Sequence, residues 1–176
     1  MLLSTRHISR FIFLIALTLI IEMIGLPQPF TGPLINMMLI LTSLVVSPLA
    51  GVILGALTPL VAAIRGQLPG FLVPIIPFIF IGNAVFVLLF SFLRARSREK
   101  NIFISVAAWC GVLLGAFVKF VVLYYAARFV LPLYFGTAVP DKIVALMSFP
   151  QFFTAVAGGV FAFLIYNMLQ IRFHLN

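Results

Sequence analysis

The sequence predicts an all-α, polytopic membrane protein, with residues 1–176 forming a single membrane-embedded bundle of about six transmembrane helices. Of its 176 residues, 64% are hydrophobic and 8% are charged, whereas soluble proteins are about half apolar and one-quarter charged. The apolar runs are continuous rather than alternating, which favours helices over a closed barrel. Several of these runs approach the roughly 20 residues that a membrane-spanning helix needs.

The individual helices are predicted from apolar runs bounded by proline, glycine or charged residues. The first run lacks a small-residue cleavage site before Pro27, which indicates an uncleaved helix rather than a signal peptide. The second and third runs are short and are separated by Ser47 and Pro48, which are typical of a helix start. Two short tilted helices and a re-entrant hairpin both fit this pair. The predicted helices cover residues 9–26, 34–46, 49–64, 71–93, 102–130 and 152–171.

Basic residues predict the orientation of the bundle. Arg6 and Arg10 precede the first helix, a basic cluster separates the fourth from the fifth, and Arg172 follows the last. The cluster contains Arg94, Arg96, Arg98 and Lys100. Because cytoplasmic loops are enriched in lysine and arginine, this loop and both termini are predicted to be cytoplasmic. The net charge of +8 therefore reflects topology and does not indicate nucleic-acid binding.

The longest outer connection covers residues 131–149. In it, Pro140 and Asp141 precede an apolar stretch, a pattern that favours a short helix on the outer surface. Both a lid over a site and a plain connector fit this segment. Arg128, just before it, falls on the helix face opposite Lys119 and is predicted to be an interfacial anchor.

Small residues four positions apart mark helix faces that pack against protein rather than lipid. Such stripes contain Gly51, Gly55, Thr58 and Ala62 on the third helix, Gly111 and Gly115 on the fifth, and Ala155, Gly158, Gly159 and Ala162 on the sixth. At helical spacing, each stripe shares its face with a polar residue in the predicted outer half of its helix. Together with polar residues of the other three helices, these predict one outward-facing substrate site. The candidate substrate-binding residues are Glu22, Asn36, Arg65, Asn83, Lys119 and Gln151.

Lys119 is the most informative of these candidates, because a lysine in mid-membrane costs about 2.5–3.5 kcal/mol and usually faces a cavity or a partner. It could form a structural ion pair with Glu22, or it could bind a ligand carboxylate or other anion. Arg65 could extend to the membrane surface instead of entering the site. The three amides could serve as hydrogen bonds between helices rather than as ligand contacts.

Catalytic and metal-binding motifs are not recognisable in the sequence. It contains no HExxH, no serine–histidine–acid set, no paired carboxylates and no phosphate-binding glycine loop, so an enzyme is not expected. Cys110 is the single cysteine, which excludes a disulfide framework. No cofactor is predicted for this chain.

A resemblance to a known family is carried by four segments in matching order: TGPLINMMLILTSLVVSPLAGVILGALTPLVAAIRG, PFIFIGNAVFVLLF, GAFVKFVVLY and FPQFFTAVAGGVFAFLIY. They resemble the substrate-binding S components of energy-coupling-factor (ECF) transporters. The resemblance implies capture of a vitamin or similar micronutrient near the outer surface of a bacterial or archaeal plasma membrane. It also implies delivery with a transmembrane T component and two cytoplasmic ATPase subunits, which hydrolyse the ATP.

Two positions depart from patterns known in this family. Many S components carry an alanine-x-x-x-alanine docking motif on the first helix, whereas here Ala16 is flanked by Ile12 and Ile20. The pair of Gly51 and Gly55 could serve docking instead, although packing within the chain is the more usual role. Nickel and cobalt members have a histidine directly after the first methionine, where this chain has Leu2, so a metal substrate is not expected.

Two other functions fit the same pattern of apolar helices. One is a membrane scaffold similar to small cell-shape proteins, with the polar face recruiting other membrane chains. The other is a self-sufficient carrier or channel. The preferred prediction is an S component that binds a small anionic organic molecule.

Overall fold

The computed structural model describes residues 5–99 and 101–173, with side chains as far as Ile171. These residues form helices without strands, which confirms the predicted all-α class. The α-helices are α1 (Thr5–Ile24), α2 (Gln28–Val45), α3 (Pro48–Ile64), α4 (Ile76–Ala95), α5 (Val106–Tyr125), α6 (Leu131–Phe135), α7 (Asp141–Leu146) and α8 (Phe149–Phe173). A 3₁₀ helix (Gly70–Ile75) leads into α4, and a π-helix (Ala126–Val130) joins α5 to α6.

Five helical segments of the described chain are long and apolar enough to cross a membrane. They are Thr5–Ile24, Gln28–Val45, Gly70–Ala95, Val106–Phe135 and Asp141–Ile171. The remaining long helix, α3, has 17 residues. At 1.5 Å per residue it is about 26 Å long, slightly less than the roughly 30 Å thickness of the hydrocarbon core of a bilayer. Leu2, Lys100 and the side chain of Arg172, which entered the sequence-based predictions, lie outside the described residues.

Five helix starts differ from the sequence-based prediction by three residues or more, since α1, α2, α4, α5 and α8 begin at Thr5, Gln28, Ile76, Val106 and Phe149 rather than at residues 9, 34, 71, 102 and 152. α2 begins at Gln28 rather than at residue 34, because Pro29 occupies the second helical position, where backbone amides have no intrahelical partner. α5 begins at Val106 rather than at residue 102, because the Ser105 hydroxyl caps the helix by accepting a hydrogen bond from the Ala108 amide at 3.1 Å. The predicted start of α3 is confirmed, since Ser47 accepts from the Ala50 amide at 3.1 Å.

The helices pack mainly in two extensive pairs, α4 with α5 and α2 with α8, while α3 lies against α2 and α4. Glycines permit the close contacts. A Cβ atom added at Gly158 would lie 2.5 Å from Asn36 Cβ, and one added at Gly115 would lie 2.9 Å from the Phe86 carbonyl oxygen. The prediction that the small-residue stripes face protein is therefore confirmed.

The first helix, α1, lies at the edge of the bundle and packs mainly on α2 and α3. On the side of α1 that faces away from the bundle, Ile12, Ala16 and Ile20 are exposed. Gly51 and Gly55, considered as an alternative docking pair, are buried and face Leu39 and Asn83 respectively. Docking through that pair is therefore wrong for this conformation, because neighbouring helices already occupy the space beside both glycines.

The Arg94–Arg98 turn lies at the end of the bundle where α4 stops and α5 begins, and aromatic rings fill the core near it. Phe163 is fully buried, with ring centroids 4.9 Å from Trp109, 5.9 Å from Phe90 and 6.2 Å from Phe103. The Trp109 indole donates to the Phe103 carbonyl at 2.9 Å. This end of the bundle is thus closely packed.

The connection between α5 and α8 lies at the other end of the bundle. α6 ends at Phe135 and is followed by Gly136, whose positive φ of 67° is typical of a helix C-terminus. The short helix predicted after Pro140 is present as α7, with Asp141 in its first turn. Arg128 is exposed, with its guanidinium 3.5 Å from the Asp141 carboxylate.

Candidate ligand-binding site

A cavity of about 280 Å³ lies at the end of the bundle opposite the Arg94–Arg98 turn. It is enclosed by the C-terminal parts of α1, α3 and α5, the N-terminal parts of α2, α4 and α8, and the turn that contains Gln67 and Leu68. Its volume is close to the lower limit of about 300 Å³ for small-molecule sites. Leu146, the last residue of α7, and the following Met147 also line it.

Polar side chains from all six long helices reach the wall of this cavity. They are Glu22, Gln28, Thr31, Asn36, Thr58, Asn83, Lys119 and Gln151, joined by Gln67 from the turn after α3. Five of the six predicted site residues are thus brought together, and the exception is Arg65. The remaining wall is apolar, which is typical of small-molecule sites with a few oriented polar groups.

Lys119 is 4% exposed and extends from α5 into the cavity wall. Its Nζ donates a hydrogen bond to Asn36 Oδ1 at 2.6 Å and lies 5.7 Å from the centroid of the Phe86 ring. Gly82 leaves room for its stem, since a Cβ atom there would lie 3.2 Å from Lys119 Cγ. Asn36 is oriented in turn by donation from Nδ2 to the Gly32 carbonyl at 2.8 Å.

Glu22 is 3% exposed, and its buried Oε2 atom has no hydrogen-bond partner among the described residues. Its backbone carbonyl accepts a hydrogen bond from the Gln67 side chain. The alternative in which Glu22 forms an ion pair with Lys119 is wrong. In residues 5–99 and 101–171, the only cation–carboxylate contact within 4.0 Å joins Arg128 and Asp141.

Asn83 and Gln151 combine cavity lining with contacts between segments of the chain. Asn83 Nδ2 donates to the Gly55 carbonyl at 2.9 Å and lies 3.5 Å from Thr58 Oγ1, which links α4 to α3. Gln151 is buried, and its Nε2 lies 3.5 Å from the Leu146 carbonyl. Asn83 therefore forms the hydrogen bond between helices that was one of its two predicted roles, and it also lines the cavity.

Arg65 lies outside the cavity wall and is exposed. Its Nη2 atom is 3.5 Å from the Met23 carbonyl. Arg65 is the C-cap residue of α3, and its side chain extends towards α1 rather than into the cavity. The turn instead brings Gln67 to the site, a residue that helical periodicity could not identify.

Three further polar residues were missed by the sequence analysis. Gln28 and Thr31 belong to the first turn of α2, which was predicted as loop, and Thr58 was interpreted as a packing residue of the α3 stripe. No group of three or more metal-ligating side chains lies together in the described chain. With oriented amides, one ammonium and one carboxyl group, the arrangement is suited to binding a polar molecule.

The family described as "ECF transporter, substrate-specific component" matches residues 11–170. No curated protein and no solved structure matches the chain at a significant level. The match includes every helix that contributes to the cavity. Members of this family bind the substrate, and the ATPases are separate subunits. The chain therefore belongs to the substrate-specific components of ECF transporters and is a multi-pass, substrate-binding membrane subunit, not an enzyme.

Proposed function

We propose that this chain captures a small, vitamin-like organic molecule with an anionic group in the cavity around Lys119. The molecule enters from the outer face of a bacterial or archaeal plasma membrane, at a site whose polar contacts include Glu22, Asn36, Asn83 and Gln151. A transmembrane T component and two cytoplasmic ATPases then accept the loaded subunit and drive delivery. Tight capture is the contribution of this chain.

The observation that supports an anionic ligand is the environment of the Lys119 ammonium. It is buried in the cavity wall, and its one hydrogen bond within the described residues goes to a neutral amide oxygen. A buried cation without an opposite charge is costly, so it favours a ligand that supplies one. The N–H groups of the Lys119 ammonium that do not donate to Asn36 can donate to an anionic oxygen of that ligand.

The position of the cavity supports entry from the outer face. The cavity and the Arg94–Arg98 turn lie at opposite ends of α4, which runs from Ile76 to Ala95. Arginine-rich turns are favoured on the cytoplasmic side. The cavity end is then the outer end.

The test is to purify the protein and identify co-purified small molecules by mass spectrometry. We expect an acidic compound in the wild type and at least a tenfold loss of it in Lys119→Ala, which follows from the roughly 1.5–3 kcal/mol of a charge-assisted hydrogen bond. Lys142→Ala is the matched control, because Lys142 is exposed on α7 and lies outside the cavity wall. Equal retention by Lys119→Ala and the wild type contradicts the anion-binding role.

A second measurement addresses delivery. Affinity purification from cell membranes should recover the T component and ATPases, whereas recovery of cell-wall machinery would support a scaffold. Liposomes that contain this chain alone should not accumulate the compound identified above. Uptake by such liposomes would instead support a self-sufficient carrier.

A further inference from the structure

The cavity wall contains two charged side chains of opposite sign, Glu22 and Lys119, among the residues the structure describes. Their formal charges sum to zero. A ligand that is only anionic would neutralise Lys119 but would leave the buried Glu22 carboxylate as an uncompensated negative charge. The electrostatics of the wall therefore favour a ligand that carries more than an anionic group.

The two charged groups do not neutralise each other directly. They form no contact within 4.0 Å, although both are more than nine-tenths buried. Each also has hydrogen-bonding capacity that the described residues leave unused. Asn36 accepts from one of the three donors of the Lys119 ammonium, and Glu22 Oε2 has no donor in this part of the chain.

Glu22 Oε2 differs from the other buried side-chain oxygens without a partner. In the described chain these are Thr42 Oγ1 and Ser91 Oγ, and neither residue lines the cavity. An unsatisfied buried carboxylate is much more costly than an unsatisfied hydroxyl. A donor supplied from within the cavity removes this cost.

We infer that the ligand is bipolar: it presents an anionic group to Lys119 and a basic or cationic N–H group to Glu22. This inference rests on the proposed function, because it assigns the substrate class of the same cavity. The cavity volume of about 280 Å³ is near the lower end of the range for small-molecule sites, which is about 300 Å³. The ligand is thus a small zwitterion or a small acid with a basic nitrogen.

The test sorts the small-molecule fraction of a rich growth medium by sequential cation and anion exchange. This gives four pools, whose molecules carry an acidic group, a basic group, both or neither. Purified protein is incubated with each pool, and the retained compounds are quantified by mass spectrometry. We expect the wild type to enrich a compound from the pool that carries both groups.

Two substitutions should change this selectivity in opposite directions. Glu22→Gln removes the negative pole at nearly constant shape and should reduce retention from the bipolar pool at least tenfold, with a relative gain for the acidic pool. Lys119→Met should give the opposite relative gain, for the basic pool. Arg65→Gln is the matched control, because it removes an exposed charge at the same end of the bundle but outside the cavity wall.

The outcomes separate this inference from the proposed function. Enrichment from the acidic pool alone, unchanged in Glu22→Gln, overturns the bipolar ligand and leaves anion capture intact. Enrichment from no pool, or only from the basic or neutral pool, overturns both. Size-exclusion profiles and thermal unfolding establish that each variant is folded. If Lys119→Met does not fold, the comparison of Glu22→Gln with Arg65→Gln decides the result.

Discussion

The two ends of the helical bundle are built from different chemistry. Near the Arg94–Arg98 turn, Phe163 is enclosed by aromatic rings, and the Ser105 hydroxyl donates to Ser97 Oγ at 2.7 Å. At the cavity end, buried Lys119 and Glu22 leave donors and acceptors unused. One end maximises packing, while the other keeps polar groups available at a cost in stability.

This contrast indicates a division of roles along the membrane normal. Helices in lipid associate mainly through van der Waals packing, so the aromatic end is expected to supply most of the stability. The cavity end, which has less packing and unsatisfied polar groups, gains stability when a ligand completes its contacts. Substitutions at the aromatic end should therefore mainly lower the unfolding temperature, whereas substitutions at the cavity end should mainly lower ligand retention.

The largest effect is expected for Phe163→Ala at the aromatic end. Loss of a fully buried ring costs about 3–5 kcal/mol in protein cores, and the lower limit applies here because lipid also solvates the ring. Thermal unfolding in detergent should report this destabilisation. The amount of small molecule retained per folded protein should stay at the wild-type level, and a selective loss of retention would contradict the division of roles.

A somewhat smaller effect is expected for Gly158→Ala, which should change both stability and ligand retention. The added Cβ would lie 2.5 Å from Asn36 Cβ and 2.8 Å from the Pro33 carbonyl oxygen, so α2 and α8 must separate at a cost of about 1–3 kcal/mol. Because Asn36 positions Lys119, both the unfolding temperature and ligand retention should fall. Gly70→Ala is the matched control, since no atom lies within 4 Å of the added Cβ.

Asn83→Ala should have a modest effect on stability. It removes the hydrogen bond to the Gly55 carbonyl, and hydrogen bonds between membrane helices average about 0.6 kcal/mol, with a maximum of about 1.7. Thermal unfolding should therefore shift slightly, and retention should fall less than in Lys119→Ala. A larger loss of retention than in Lys119→Ala would make Asn83 the principal ligand contact.

Arg128→Ala should have the smallest effect. Its ion pair with Asp141 is on the surface, with side chains 52% and 97% exposed, and such pairs contribute little. Neither unfolding nor retention should change measurably. A clear loss of ligand retention would show that the α7 region contributes to the cavity through more than the two lining residues Leu146 and Met147.

The sequence predicted the helical class, the helices and five of the nine polar side chains of the cavity wall, because these depend on the same periodicity. The stripe that continues to Lys119 and the stripe that begins at Gln151 identify inner helix faces, and the structure brings both residues to the cavity. The prediction failed at the end of α3. The Arg65 side chain extends to the Met23 carbonyl, and Gln67 enters the site through a turn whose path the sequence does not specify.

The separation of Glu22 and Lys119 could not be predicted either. Opposite charges on two helices suggest an ion pair, but their distance depends on how α1 and α5 are placed around α2. In the structure Asn36 of α2 accepts a hydrogen bond from the Lys119 ammonium, and Glu22 Oε2 has no donor within the described ranges. A pattern of residues along single helices contains no information about this arrangement.

The peripheral position of α1 has a thermodynamic consequence. Glu22 belongs to a helix that packs mainly on α2 and α3, whereas Lys119 belongs to the extensive α4–α5 pair. A ligand that joins the two side chains acts as a non-covalent crosslink between α1 and this pair. At one hundred times its dissociation constant it adds about 2.7 kcal/mol to this attachment, so the amide hydrogen-exchange rate of α1 becomes a direct measure of occupancy.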